Sequence, residues 1–120
     1  MILVALSEGI FEKIRPILEK FKISYEKVET GEELLEKAKK VRPELIILEK
    51  DLPLLDGFAA ILLLKSHPKT SDIPVLAVCK CDYYEEEVKA RDSGADGIIH
   101  CPLKEEEIKE YFKKFLKKVL

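Results

Sequence analysis

The chain has 120 residues, enough for one domain with a core that buries about two thirds of the unfolded surface. Hydrophobic residues make up 47% and charged residues 37%, which excludes a disordered tail and a membrane-embedded chain. With 21 Lys+Arg against 23 Asp+Glu, the net charge of -2 lacks the positive excess of a dedicated nucleic-acid binder.

Met1–Leu6 is a continuous apolar run, as expected of a strand buried on both faces. Phe11, Ile14, Ile17, Leu18 and Phe21 recur at helical spacing, with Pro16 inside the helix as a kink or irregular turn. Ile23–Glu29 alternates in and out like a half-covered edge strand. Thr30 and Glu33 form a capping box that opens a helix through Lys40, supported by Glu33–Lys37 and Glu36–Lys40 pairs. Pro43 stops that helix, and Leu45–Leu48 reads as the third strand. Lys50–Gly57 is a loop with Asp56-Gly57 as its turn signal, followed by a helix over Phe58–Ser66 that ends before Pro68. Val75–Cys79 is the fourth strand. Glu85, Glu86 and Glu87 suit the first turn of the next helix, and Gly94 ends it as a left-handed cap. Ile98–His100 is the fifth strand. Glu105–Glu107 open the last helix, and Lys113, Lys114, Lys117 and Lys118 close it. These charge runs follow the helix dipole and read as solvated faces.

Strands alternating with helices imply right-handed crossovers and a doubly wound parallel α/β sheet. In such sheets the functional crevice lies beyond the carboxyl ends of the strands. Here those ends are Leu6-Ser7-Glu8, Glu49-Lys50-Asp51, Cys79-Lys80-Cys81 and His100-Cys101-Pro102.

The apolar run Phe58–Leu64 has seven residues, short of the roughly 20 that span a bilayer. The start, MILVALSEG, carries no basic residue before its apolar stretch and does not read as a signal peptide. Three cysteines without an export signal point to reduced thiols in the cytoplasm. The excess of 18 lysines over three arginines, with abundant Glu, points to a heat-loving source.

Arg42–Gly57 (RPELIILEKDLPLLDG), Ile73–Val78 (IPVLAV) and Ser93–Pro102 (SGADGIIHCP) resemble the receiver domain of bacterial two-component response regulators. The likeness covers essentially all of residues 1–120. Gly94-Ala95-Asp96 and the spacing from Pro53 to Asp56-Gly57 carry most of it. The resemblance implies a flavodoxin-like fold of five parallel strands in the order 2-1-3-4-5 with five helices. It also implies a pocket in which an acidic pair after strand one holds Mg²⁺ and an Asp after strand three takes up the phosphoryl group. A Thr or Ser, a Lys and a switch aromatic would complete that pocket. None of those side chains is present. Leu6 and Ser7 stand at the acidic pair, with only Glu8 acidic, and Glu49 stands at the phospho-acceptor. Cys79 replaces the Thr or Ser, Cys101 the Lys and Ile98 the switch aromatic. Mg²⁺ requires hard oxygen ligands, and Glu49 with the carbonyl of Asp51 makes a poor set. The pattern is that of a degenerate receiver: not an enzyme, without cofactor or metal, signalling through a protein partner or a second copy.

Two roles fit Glu49: a permanent phosphate mimic, or a carboxylate that bonds nearby backbone N–H groups. An active acceptor using Glu49 is a further alternative. So is a thiol or metal sensor built on Cys79, Cys81, His100 and Cys101, although Cys-x-Cys is not the usual zinc-knuckle spacing. On the third helix, Phe58, Ile61 and Leu64 form the sheet-facing stripe. Ala59, Leu62 and Leu63 then fall outside, either as a candidate interaction patch or beneath the Leu52–Leu55 loop on a more deeply set helix. The resemblance supplies a rival surface on strand five and the last two helices, where Tyr83, Tyr84, Tyr111 and Phe112 would contribute.

Overall fold

A computed structural model describes residues 1–80 and 84–116. Ten elements alternate along the chain: β1 (Ile2–Ala5), α1 (Glu8–Lys20), β2 (Tyr25–Lys27), α2 (Gly31–Val41) and β3 (Leu45–Glu49) in the first half. The second half holds α3 (Gly57–Ser66), β4 (Val75–Lys80), α4 (Tyr84–Ser93), β5 (Gly97–Cys101) and α5 (Glu105–Phe115). All strand pairs are parallel, and the sheet order is β2-β1-β3-β4-β5. This is the flavodoxin-like order expected above.

The pleat splits the core in two. Leu3, Ala5, Ile46 and Leu48 point to one face and pack with Leu34, Ala38, Phe58, Ile61, Leu64 and Ala90 from α2, α3 and α4. Ile2, Val4, Leu45 and Ile47 point to the other and pack with Phe11, Ile14, Leu18, Ile108 and Phe112 from α1 and α5. Burial on both faces is why β1 and β3 read as unbroken apolar runs.

Several local expectations change. α1 runs through Pro16 as one helix. β2 is shorter than its alternating segment, because the Ile23 N–H still closes the turn of α1 on the Leu18 carbonyl at 2.9 Å. The Thr30 Oγ1 accepts from the Glu33 N–H at 3.0 Å, but the Glu33 carboxylate reaches one residue further, to the Glu29 N–H at 2.7 Å. Lys37 pairs with Glu26 of β2 at 2.6 Å rather than with Glu33. No Glu36–Lys40 pair forms among the described residues. Gly94 is the left-handed cap of α4, at φ 112, with the Ala95 N–H returning to the Ala90 carbonyl at 3.1 Å. Lys117 and Lys118 lie outside the described residues.

Asp96 explains why its tripeptide is specific. Its Oδ2 accepts from the Val75 N–H at 2.8 Å and from Lys65 at 2.7 Å, and Lys65 also donates to the Ile73 carbonyl at 2.8 Å. One carboxylate thereby ties α3 and the start of β4 to the turn before β5.

Leu54 holds φ at 68, a left-handed conformation that costs an L-residue about 1–2 kcal/mol, and its side chain is 77% exposed. Glycine lacks the Cβ that creates this cost. Leu54→Gly is therefore expected to raise stability by about 1 kcal/mol, read as a rise of a few degrees in melting temperature. A fall in melting temperature would show that the exposed Leu54 side chain stabilises the loop more than its backbone strains it.

Candidate functional site

The strand ends converge where the sequence placed them. Glu49 at the end of β3, Lys50 and Asp51 just after it, Val78, Cys79 and Lys80 of β4, and Cys101 of β5 line one pocket with Ile10 and Glu86. Its free volume is about 10 Å³, room for about one water molecule.

Glu49 forms the floor. It is 7% exposed and accepts a hydrogen bond from the Ser7 backbone N–H. The longer Glu side chain thus reaches back to the first turn of α1, whose early N–H groups lack intrahelical partners. Ser7 caps that helix by position only, without a side-chain cap bond. Leu6 is 3% exposed and belongs to the core beneath α1 and α5. Glu8, the acid nearest the expected pair, turns away from the pocket. It pairs with Lys27 of β2 at 2.5 Å, and that bond first, with the lysine charge second, draws the Glu8 carboxyl below its ordinary range. Asp51 stands exposed at the rim.

These positions do not fit the Mg²⁺ ion that the receiver resemblance implies. Mg²⁺ needs several oxygen ligands in octahedral geometry. Leu6 offers no oxygen, Glu8 points elsewhere, and the Glu49 carboxylate is buried on a backbone N–H.

Cys79 is 1% exposed, and its burial pushes the thiol up to about 12, with the Glu86 and Glu87 carboxylates adding to the shift. A thiol in that state is a small hydrophobe rather than a nucleophile. Cys101 is half-buried at the rim. Ile98, at the switch position, is fully buried beneath α4. No group of three or more metal-ligating side chains forms among the described residues. His100 is instead held by Glu107 and Glu87, at 2.7 and 3.4 Å. Cys81 and Tyr83 lie outside the described residues.

The structure also places the two candidate surfaces. Leu62 and Leu63 are 52% and 49% exposed, and Ala59 is half-buried beside them. Leu62 and Ala59 line an open groove of about 450 Å³ between α3 and α4, rimmed by Lys50, Asp56, Lys89 and Asp92. On the rival surface, Tyr84 is exposed, but Phe112 is fully buried and the Tyr111 hydroxyl bonds the backbone of Ile98. Those two residues belong to the core and the sheet edge, not to a docking face. Glu87 and Glu107 are the residues whose role the sequence reading missed. Their spacing matched solvated helix turns, and only the position of β5 reveals their partners.

Comparison with known proteins agrees with this architecture. The DNA-binding dual master transcriptional regulator RpaA of Synechocystis is 35% identical over 71 residues, which cover 59% of this chain and 30% of that protein. A response regulator from Chloroflexus aurantiacus superposes with a TM-score of 0.90 at 21% identity, covering 98% of this chain and 97% of that one. The receiver domain of the sensor histidine kinase PA1611 from Pseudomonas aeruginosa, which coordinates a magnesium ion in its active-site cleft, superposes with a TM-score of 0.85 at 18% identity. The match covers 98% of this chain and 97% of that one. The chain spans 10% to 43% of the length of the first curated relatives it matches. Among the described residues no helix is long and apolar enough to cross a membrane. The response regulator receiver domain family matches residues 2–113, and the chain belongs to it.

Proposed function

We propose that this receiver domain is degenerate: a phosphorylation-independent signalling module of the cytoplasm that acts by binding a protein partner or a second copy. The observation that carries the reading is the buried Glu49 carboxylate bonded to the Ser7 N–H. A phospho-acceptor must present a free oxygen to an incoming phosphoryl group in line with its leaving group. At Glu49 the Ser7 N–H holds Oε1, and the residue is only 7% exposed to an incoming group. Cys101, where a cation would neutralise the transferred group, contributes no fixed charge. The test is incubation with acetyl phosphate and Mg²⁺ followed by intact mass. No mass gain is expected. A gain of one phosphate that disappears in Glu49→Gln would establish the active reading instead.

Association through Ala59, Leu62 and Leu63 is part of this proposal. Full burial of the two leucines is worth about 3–5 kcal/mol. Neither belongs to the core clusters. Leu62→Glu with Leu63→Glu is expected to leave the melting temperature within a few degrees of wild type. It should also abolish any association seen by sedimentation. Unfolding of the double variant, or unchanged association, would remove the patch from the proposal.

A further inference from the structure

Among the described residues β5 is the last strand of the sheet, so one side of its backbone has no neighbouring strand there. Such edges invite pairing with other chains unless they are covered. α5 covers this one. The Tyr111 hydroxyl accepts from the Ile98 N–H at 3.0 Å and donates to the Ile98 carbonyl at 2.9 Å. The Glu107 Oε1 accepts from the His100 N–H at 2.8 Å. The Tyr111 ring lies close enough that a Cβ on Gly97 would stand 2.7 Å from its Cζ.

Glu107 has a second task. Its Oε2 lies 2.7 Å from His100 Nδ1, while His100 Nε2 faces Glu87 Oε2 of α4 at 3.4 Å. One imidazole thus bridges carboxylates from two helices. α4 packs on α3, β4 and β5 but buries only one residue, Ala90. A helix with so little apolar burial opens at low free-energy cost, and a polar tie matters there.

We propose that His100, Glu87 and Glu107 form a proton-operated latch that holds α4 against β5 and α5 when the imidazole is charged and releases α4 when it is neutral. The charged ring has two N–H donors, one for each carboxylate. The neutral ring keeps one, and the shorter Glu107 bond retains it at Nδ1. Nε2 then turns a lone pair toward Glu87, so two acceptors face each other and the α4 tie is lost. Glu87 has another cation to turn to, because Arg91 Nη2 is 3.5 Å from its Oε1.

The titratable and charged groups around the latch come from every neighbouring element. They are Glu86, Glu87 and Arg91 of α4, Glu107 of α5, Cys79 and Lys80 of β4, and Cys101 on its own strand. The bond to Glu107, with Glu87 adding, raises the His100 pKa above its ordinary 6.5 despite some desolvation. The tie is therefore fully made below the unfolded value and lost as pH rises through the folded one. This device is independent of whether Glu49 accepts a phosphoryl group.

The chain has two histidines, so NMR resolves the His100 ring signals for titration. His100 is expected to titrate with a midpoint above 6.5. Amide exchange in α4, corrected for intrinsic rates, is expected to rise about two- to five-fold with the same midpoint. In Glu87→Gln the side-chain amide accepts from the charged ring and donates to the neutral one, so α4 protection should become independent of pH. Glu107→Gln should lower the midpoint. A midpoint at or below 6.5, α4 protection that ignores the His100 titration, or an unchanged pH profile in Glu87→Gln would each overturn the latch.

Discussion

Gly57→Ala is expected to lower the melting temperature by about 10 °C or more, a loss of about 3 kcal/mol. A Cβ at residue 57 would overlap the Glu49 carbonyl oxygen and stand 2.8 Å from its carbon and 3.2 Å from the Lys50 Cα. All three are backbone atoms of the β3 exit, which two neighbouring strands hold in place. The clash cannot be relieved by a side-chain rotation. It must push α3 away from the sheet and break the Gly57 N–H bond to the Lys50 carbonyl at 2.8 Å. That bond closes the loop carrying Asp51, so the pocket rim should loosen with the fold. Gly9→Ala is the control. Outside its chain neighbours and its own helix backbone no atom lies within 4 Å of its added Cβ, and it sits in the first turn of α1. Alanine there should be neutral or stabilising by up to about 1 kcal/mol. Equal melting temperatures for the two variants would show that the Gly57 contact relaxes at no cost.

The same residue shows how far the sequence could be read. The spacing from Pro53 to Asp56-Gly57 marked a turn, but Asp56 instead caps α3, 2.8 Å from the Phe58 N–H, and Gly57 is the first residue of that helix. What the spacing did not show is that Gly57 is required by the backbone of Glu49 rather than by its own φ. Elements with a period were legible because burial dictates the period: the apolar run of β1, the stripe of Phe11, Ile14 and Leu18, and the capping box at Thr30. Pairings between exposed charges were not. Lys37 chose Glu26 over Glu33 because a long flexible side chain takes whichever carboxylate the tertiary fold brings within reach. The convergence of Glu49, Cys79 and Cys101 on one pocket followed from strand order alone. The inward turn of Glu49 to the Ser7 N–H and the outward turn of Glu8 to Lys27 did not, because both depend on rotamers that only neighbouring elements select.

No single substitution is expected to restore phosphoryl uptake. Glu49→Asp shortens the side chain and frees it from the Ser7 N–H, yet leaves Leu6 and Ser7 at the acidic pair and Cys101 at the lysine position. Removing one preorganised stabiliser of a charged transition state costs about 10²–10³ in rate. The absent acidic pair and the absent lysine act on the same step, so the combined deficit is on the order of 10⁴–10⁶. Residues that act as a unit are strongly non-additive, and a nucleophile alone recovers almost nothing. The expected result with acetyl phosphate and Mg²⁺ is therefore no mass gain for wild type, Glu49→Asp or Cys101→Lys. A gain should appear only when Leu6→Asp, Ser7→Asp, Glu49→Asp and Cys101→Lys are combined. Leu6 is 3% exposed in the core, so the combined variant must first be shown to melt cooperatively. A folded combined variant that takes up phosphate would show that the backbone still holds a receiver's geometry and that side chains alone silenced it. Uptake by Glu49→Asp alone would show that a nucleophile of the right length suffices, and the degenerate reading would fall. Failure of the folded combined variant would place the defect in the backbone around the pocket, where the Gly57–Lys50 closure and the strained Leu54 set the path of the loop.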